Sequence, residues 1–155
     1  ATAFTFVTLM LGLPLSTEAG FGAFQQIKLG GGILWNDKVA LDATGGGAHV
    51  SVDLKLTGPF NLTPFYEFSR RNDITSTLAG GELHCNAGHF YFGPGFGVAD
   101  AGGKTKFHVN GVGGIRFDLM DRVGFFVQGK YAWAADDLLN GVTAHGGITL
   151  PIVGK

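Results

Sequence analysis

The stretch FHVNGVGGIRFDLMDRVGFFVQGKYAW, residues 107–133, alternates between apolar and polar side chains on both sides of a short turn at Met120-Asp121-Arg122. One parity is apolar: Phe107, Val109, Ile115, Phe117 and Leu119 before the turn, then Val123, Phe125, Val127, Tyr131 and Trp133 after it. The other parity includes His108, Asn110, Arg116, Asp118, Gln128 and Lys130. Because successive side chains of a strand point to opposite faces, this pattern predicts a hairpin with one apolar and one polar face.

The same alternation extends over most of the chain and predicts an all-β protein. Turn signals from Gly, Pro, Asn and Asp divide it into eight strands, at about 21–35, 47–57, 61–71, 76–86, 89–98, 105–119, 123–133 and 141–152. The connections after the even-numbered strands are tight. Those after the odd-numbered strands are predicted to be longer, at Asn36–Gly46, Arg71–Thr75, Ala99–Lys104 and Ala134–Asn140. Longer and shorter connections at opposite ends are typical of an up-and-down meander.

Composition indicates a surface that is not wholly in water. The 155 residues include 27 Gly and 14 Phe, and only 15% are charged, against about 25% in ordinary soluble domains. The net charge of −1, with no basic patch beyond Arg70-Arg71, argues against a nucleic-acid partner. The single cysteine, Cys85, excludes an intrachain disulfide or a cysteine zinc cluster, and we interpret it as a small apolar filler on the apolar face.

Residues 1–19 differ from the rest of the chain, and we predict a truncated signal peptide there, followed by a β-barrel domain over residues 20–155. Ala3 to Leu15 is apolar apart from Thr5 and Thr8 and has h-region length, and Thr17 and Ala19 fit a cleavage site before Gly20. The alternative is a first strand or a short buried helix. The run is too short for a transmembrane helix, which needs about 20 residues.

Alternation alone does not say which face is exposed. A soluble lipocalin-like barrel would turn its apolar face inward around a ligand. The interior of an eight-stranded barrel, however, has only enough room for its own side chains. The many aromatic side chains on the apolar face would overfill it. We therefore predict apolar side chains outside. The predicted membrane-interface aromatics are Trp35, Tyr66, Tyr131 and Trp133. The predicted polar network of the lumen comprises Lys28, Asp53, Lys55, Glu67, Glu82, Arg116, Gln128 and Lys130, with Glu67 pairing with Arg116, Lys130 and Lys55.

Three stretches resemble a known family: Leu62–Glu67, Tyr91–Val98 and Gly111–Phe117. The family is that of small eight-stranded outer-membrane β-barrel proteins of the OmpA/OmpX kind, and the last two stretches resemble its Gly-rich aromatic strands. The likeness covers about residues 20–152. It implies an eight-stranded antiparallel up-and-down transmembrane β-barrel in the outer membrane of a Gram-negative-type bacterium.

The sequence predicts no catalytic, cofactor or metal site. The five histidines are interpreted as polar lumen or rim residues, although His49 and His145 are expected to be able to approach each other across the first strand. Some barrels of this type resemble lipid A esterases with a His-x-Ser pattern, but His108 and His145 have no Ser two positions on. The runs Gly30–Gly32 and Gly45–Gly47 lack the Lys-Ser/Thr of a phosphate loop and indicate bends or close backbone packing.

The resulting prediction is a non-enzymatic outer-membrane protein with a structural or surface-interaction role. Its expected partners are outer-membrane lipids and lipopolysaccharide, with no nucleic acid, and the expected state is a monomer. The sequence does not identify a ligand for the loops. The alternatives are a soluble periplasmic lipocalin-like barrel that binds an apolar ligand and, less favoured, a lipid A-modifying esterase.

Overall fold

Eight strands account for nearly all the residues that the computed structural model describes, namely 23–35, 45–71, 73–120, 122–135 and 140–152. The strands are β1 (Ala23–Trp35), β2 (Gly45–Lys55), β3 (Phe60–Arg71), β4 (Ile74–Ala87), β5 (Phe90–Ala101), β6 (Lys104–Met120), β7 (Val123–Ala134) and β8 (Gly141–Pro151). Within these residues, no helix has the length and apolar character needed to cross a bilayer. The segment 1–19, predicted to be a signal peptide, lies outside the described residues.

The sheet closes on itself. Each strand pairs antiparallel with the next, and β1 pairs with β8 from Gln26–Pro151 to Trp35–Val142. Closure satisfies the backbone donors and acceptors along both edges of the sheet, which any span through lipid requires. The predicted eight-stranded antiparallel up-and-down barrel is confirmed.

The hairpin of β6 and β7 has the predicted orientation of its faces. Phe117 pairs with Phe125 beside the turn, and both are about half exposed on the outer wall. Gln128 and Lys130, on the opposite parity, are each only 2% exposed inside the barrel. The alternation read from the sequence therefore separates an apolar outer wall from a polar lumen.

Two of the four connections predicted to be long are tight. β3 continues to Arg71 and β4 begins at Ile74, while β5 and β6 are separated only by Gly102 and Gly103. These glycines have φ of 56° and 77°, the left-handed conformation that a two-residue hairpin loop favours. The strands therefore extend further than predicted. We call the end with the β1–β2 and β7–β8 connections the loop rim, and the opposite end the turn rim.

Glycine inside the wall lets neighbouring strands approach closely. Gly80 on β4 pairs with Gly97 on β5. A Cβ on Gly97 would lie 2.0 Å from the carbonyl oxygen of Ala79, so no larger residue fits without a backbone shift. Because glycine contributes no side chain, there is room inside the barrel for a few large side chains, among them Phe65, Tyr91 and Phe126.

Candidate functional site in the barrel lumen

The lumen is filled by charged and polar side chains from inward positions of most strands. Five charged residues lie buried there, each at most 3% exposed: Lys28, Asp53, Glu67, Glu82 and Lys130. All belong to the network predicted from the sequence. Buried charges at this density require partners, because an unpaired ion in a protein interior costs several kcal/mol.

Asp53 organises the part of the lumen nearer the turn rim. Its Oδ1 lies 3.0 Å from Lys28 Nζ and accepts a 2.8 Å hydrogen bond from Thr63 Oγ1. Its other oxygen accepts a bond from Gln26 Nε2. The ring of His84 lies 4.0 Å away. This carboxylate thus binds the Lys28 ammonium and two neutral donors closely, and the Arg116 guanidinium lies further off, at 3.8 Å.

Lys130 organises the part nearer the loop rim. Its Nζ bonds Glu67 Oε1 and lies 2.6 Å from Glu82 Oε1. Glu82 in turn contacts His84 Nε2 at 2.8 Å, and His84 Nδ1 lies 3.1 Å from Thr63 Oγ1. The two parts therefore form one continuous network across the barrel.

Aromatic rings complete the packing of these ions. Lys28 Nζ lies 4.3 Å from the centroid of Tyr91, and Lys130 Nζ lies 3.5 Å from that of Phe65, within the range of cation–π attraction. The Tyr91 hydroxyl donates a 2.8 Å bond to Gln128 Oε1, which places Gln128 in the lumen. The alternation of β3 and β5 places Phe65 and Tyr91 on the inward parity, but it does not indicate their contacts with the two lysines.

Of the other predicted members of the network, Arg116 lies at its edge and Lys55 lies outside it. Arg116 is 22% exposed, and its Nη1 is 3.8 Å from Asp53 Oδ2. Lys55, near the turn rim, donates to the carbonyl oxygen of Gly58 at 2.6 Å. The register partner of Glu67 on β2 is His49, six positions from Lys55, or about 20 Å at about 3.3 Å per residue. The prediction that Glu67 pairs with Arg116 and Lys55 is wrong, whereas its pairing with Lys130 is observed.

The four aromatics predicted for the membrane interface do not share one level. Trp35 is the last residue of β1, and Tyr131 and Trp133 lie near the end of β7. All three side chains are exposed on the outer wall close to the loop rim. Tyr66 lies in the middle of β3, away from either rim. A second set of exposed rings lies near the turn rim: Phe60, Phe90, Phe117 and Phe125.

A Ser–His–Glu relay was missed in the sequence. His49 Nε2 lies 2.9 Å from Ser51 Oγ, and His49 Nδ1 lies 3.1 Å from Glu67 Oε1. The expected absence of a Ser–His pair is therefore wrong: the His49-Val50-Ser51 spacing places both side chains on the same face of β2 and would have revealed it. The connectivity is that of a nucleophile, a base and an orienting carboxylate, but Ser51 is 2% exposed inside the barrel.

His49 lies close to Glu67 and His145, which line a cavity at the loop rim. One ligand atom from each lies within 4.8 Å of the others. The His49 and His145 rings are 5.0 Å apart at their centroids, so the predicted approach across β1 is observed. Glu67 and His145 line the cavity together with Leu34, Leu78 and Asn140, among others.

Comparison with known proteins supports the fold. No family model matches the chain, and no curated protein matches its sequence. The structure is similar to the crystal structure of Neisserial surface protein A (NspA), with a TM-score of 0.63 at 12% identity, covering 82% of this chain and 95% of that chain. It is also similar to a structure from the de novo design of transmembrane beta-barrels, with a TM-score of 0.53 at 10% identity, covering 83% and 95% of the respective chains. The fold is that of an eight-stranded transmembrane β-barrel, as the resemblance to small outer-membrane barrels implied.

Proposed function

We propose that this chain is a monomeric protein of the bacterial outer membrane with a non-enzymatic, structural or surface-interaction role. The observation that carries the proposal is the orientation of the wall, which exposes large apolar side chains around the barrel and buries ions inside it. Monomeric soluble proteins rarely expose contiguous apolar patches above a few hundred Å². Lipid acyl chains, including those of lipopolysaccharide, are the partners that such a wall fits.

The filled lumen supports a structural role rather than conduction. The ion pairs of Lys28 with Asp53 and of Lys130 with Glu67 and Glu82 occupy the middle of the barrel. Eight strands leave room only for side chains. The loop rim, with its cavity and flanking aromatics, is the surface from which an interaction with an external partner would take place.

A soluble barrel with an apolar ligand requires the opposite arrangement of faces. Its interior would be apolar, whereas the buried side chains here include three carboxylates and two ammonium groups. We expect the mature protein to need detergent or lipid to stay folded and dispersed. The measurement is size-exclusion chromatography of refolded protein with and without detergent, using the heat-induced gel shift to report folding. Recovery of a stable folded monomer without detergent would contradict membrane residence.

The buried relay of Ser51, His49 and Glu67 makes enzymatic activity a specific alternative. Because Ser51 lies inside the barrel, we expect no labelling of the folded protein by a fluorophosphonate probe and an unaltered lipid A acyl pattern in expressing cells. The matched control is Ser51→Ala, which removes the nucleophile. Labelling of the parent chain that disappears in this variant would establish an activated serine and overturn the non-enzymatic assignment.

A further inference from the structure

The geometry points to a transition-metal site formed by His49, Glu67 and His145, which goes beyond the proposed structural role. We propose that these residues bind one Zn²⁺-class ion beside the loop-rim cavity that Glu67 and His145 line. Two imidazoles and one carboxylate form a donor set suited to Zn²⁺, Cu²⁺ or Ni²⁺, whereas Mg²⁺ and Ca²⁺ prefer oxygen ligands throughout.

Glycines on the intervening strand bring the two imidazoles together. His49 on β2 pairs with Gly30, and His145 on β8 pairs with Gly32. A Cβ on Gly32 would lie 2.4 Å from His145 Cδ2 and 2.2 Å from the Ala144 carbonyl oxygen. The Gly30–Gly32 run thus leaves the space through which residues of two non-adjacent strands approach each other.

Two buried polar atoms of the cluster are available to bind a ligand. Glu67 Oε2 and His145 Nδ1 are both buried without a hydrogen-bond partner, although Glu67 Oε1 bonds Lys130. Buried polar atoms are nearly always satisfied in native proteins, and exceptions are often explained by an ion or a water. A metal bound to these two atoms would satisfy both and leave the Lys130 ion pair in place.

The distances require only a small contraction. Nitrogen and oxygen ligands of Zn²⁺ lie at about 2.0–2.2 Å from the ion, which separates neighbouring tetrahedral ligands by about 3.4 Å. Here one ligand atom from each of the three residues lies within 4.8 Å of the others, and His49 Nδ1 and His145 Nδ1 lie 3.1 Å and 4.0 Å from Oε1, the Lys130-bound oxygen of the same carboxylate. Rotation of the side chains within the cavity can close the remaining gap.

The surroundings provide a hydrogen-bond partner for His49 and a cavity beside Glu67 and His145. Ser51 Oγ lies 2.9 Å from His49 Nε2 and would orient that ring while Nδ1 binds the metal. The cavity lined by Glu67 and His145 has a free volume of about 20 Å³, which exceeds the roughly 10–15 Å³ that one water needs. A water could therefore complete the coordination, as in open zinc sites with three protein ligands.

Binding is tested on the folded, tag-free protein in detergent after treatment with a chelator. We expect isothermal titration with Zn²⁺ to give one ion per chain, and Co²⁺ to develop the visible absorption of tetrahedral coordination. Zn²⁺ should also raise the unfolding temperature, because a ligand that binds only the folded state stabilises it. Absence of stoichiometric Zn²⁺ binding to the parent chain would overturn the proposal whatever the variants show.

Variants locate the site. His145→Gln and His49→Gln should each weaken Zn²⁺ binding more than about 100-fold, since even loss of an outer-shell partner costs about 10–100-fold. The matched control is His108→Gln, which alters a lumen histidine that is 0% exposed and outside the cluster, and it should retain binding. Equal loss in His108→Gln, or unchanged affinity in a folded His145→Gln, would show that Zn²⁺ binds elsewhere. The gel shift reports the folding of each variant independently of metal.

Discussion

Glu67→Ala is expected to lower the free energy of unfolding by about 3–5 kcal/mol, the usual cost of removing one partner from a buried ion pair. Glu67 accepts from Lys130 and contacts His49 at 3.1 Å. After substitution, Lys130 keeps only Glu82, at 2.6 Å, and the lumen loses one negative charge. The measurement is urea unfolding in lipid vesicles, with the temperature of the gel shift as a second readout.

Two further variants separate the ion pair from a general effect of substitution. Lys55→Ala removes a cation that bonds only the Gly58 carbonyl near the turn rim among the contacts described, and it should change stability by no more than about 0.5 kcal/mol. Glu67→Ala combined with Lys130→Met should cost less than the sum of the two single changes, because the contact between these two residues is lost once rather than counted twice, while Glu82 loses its cation in both Lys130 variants. If Glu67→Ala unfolds at the same urea concentration and temperature as the parent, Glu67 has no part in holding the lumen together.

The direction of the faces was predictable because it depends on a local property. In β7, Tyr131 and Lys130 are neighbours in the chain and lie on opposite sides of the wall whatever the rest of the barrel does. The apolar face must then lie outside, because its aromatic side chains are too bulky for the interior of an eight-stranded barrel. This reasoning needs neither the register nor the exact ends of the strands.

The pairing of charges was predictable only in part, because it depends on register. Lys55 and Glu67 share the inward face, but the β2–β3 register aligns Glu67 with His49. The register follows from where each turn lies, and a slip of two residues would keep every side chain on its face while changing which residues of the two strands face each other. The Gly102-Gly103 turn shows the same limitation, since a loop of Ala99–Lys104 was predicted where a two-residue turn occurs.

The histidine cluster shows how closure determines a site. His49 and His145 are far apart in sequence and meet because β8 pairs with β1. Closure of the barrel is enough to predict that the two histidines approach each other. To predict that Glu67 joins them, the β2–β3 register must also be known. The contact between Ser51 and His49 is predictable without the register, because the two residues are two positions apart on the same strand.

Val127→Arg is expected to destabilise the barrel in lipid by about 2–4 kcal/mol, the cost of a cation on the lipid-facing wall near the middle of a bilayer. Val127 is 60% exposed, and its neighbours on the adjoining strands are Ile115 and Gly146. The arginine would meet acyl chains that offer no hydrogen-bond partner, so it must bend toward a headgroup or draw water inward. Urea unfolding in vesicles of defined lipid measures the difference.

The depth dependence of that cost distinguishes a membrane wall from a soluble one. Leu119 is also 60% exposed but lies at the turn-rim end of β6, where an arginine reaches the interface and should cost about 0–1 kcal/mol. On a barrel surrounded by water, both substitutions would be surface changes of about 0.5 kcal/mol or less. Equal effects of Val127→Arg and Leu119→Arg would therefore mean that the apolar wall does not face lipid. Val127 and Leu119 are equally exposed but differ in depth along the barrel axis. A wall that faces lipid should therefore give the larger cost at Val127, the site further from the turn rim.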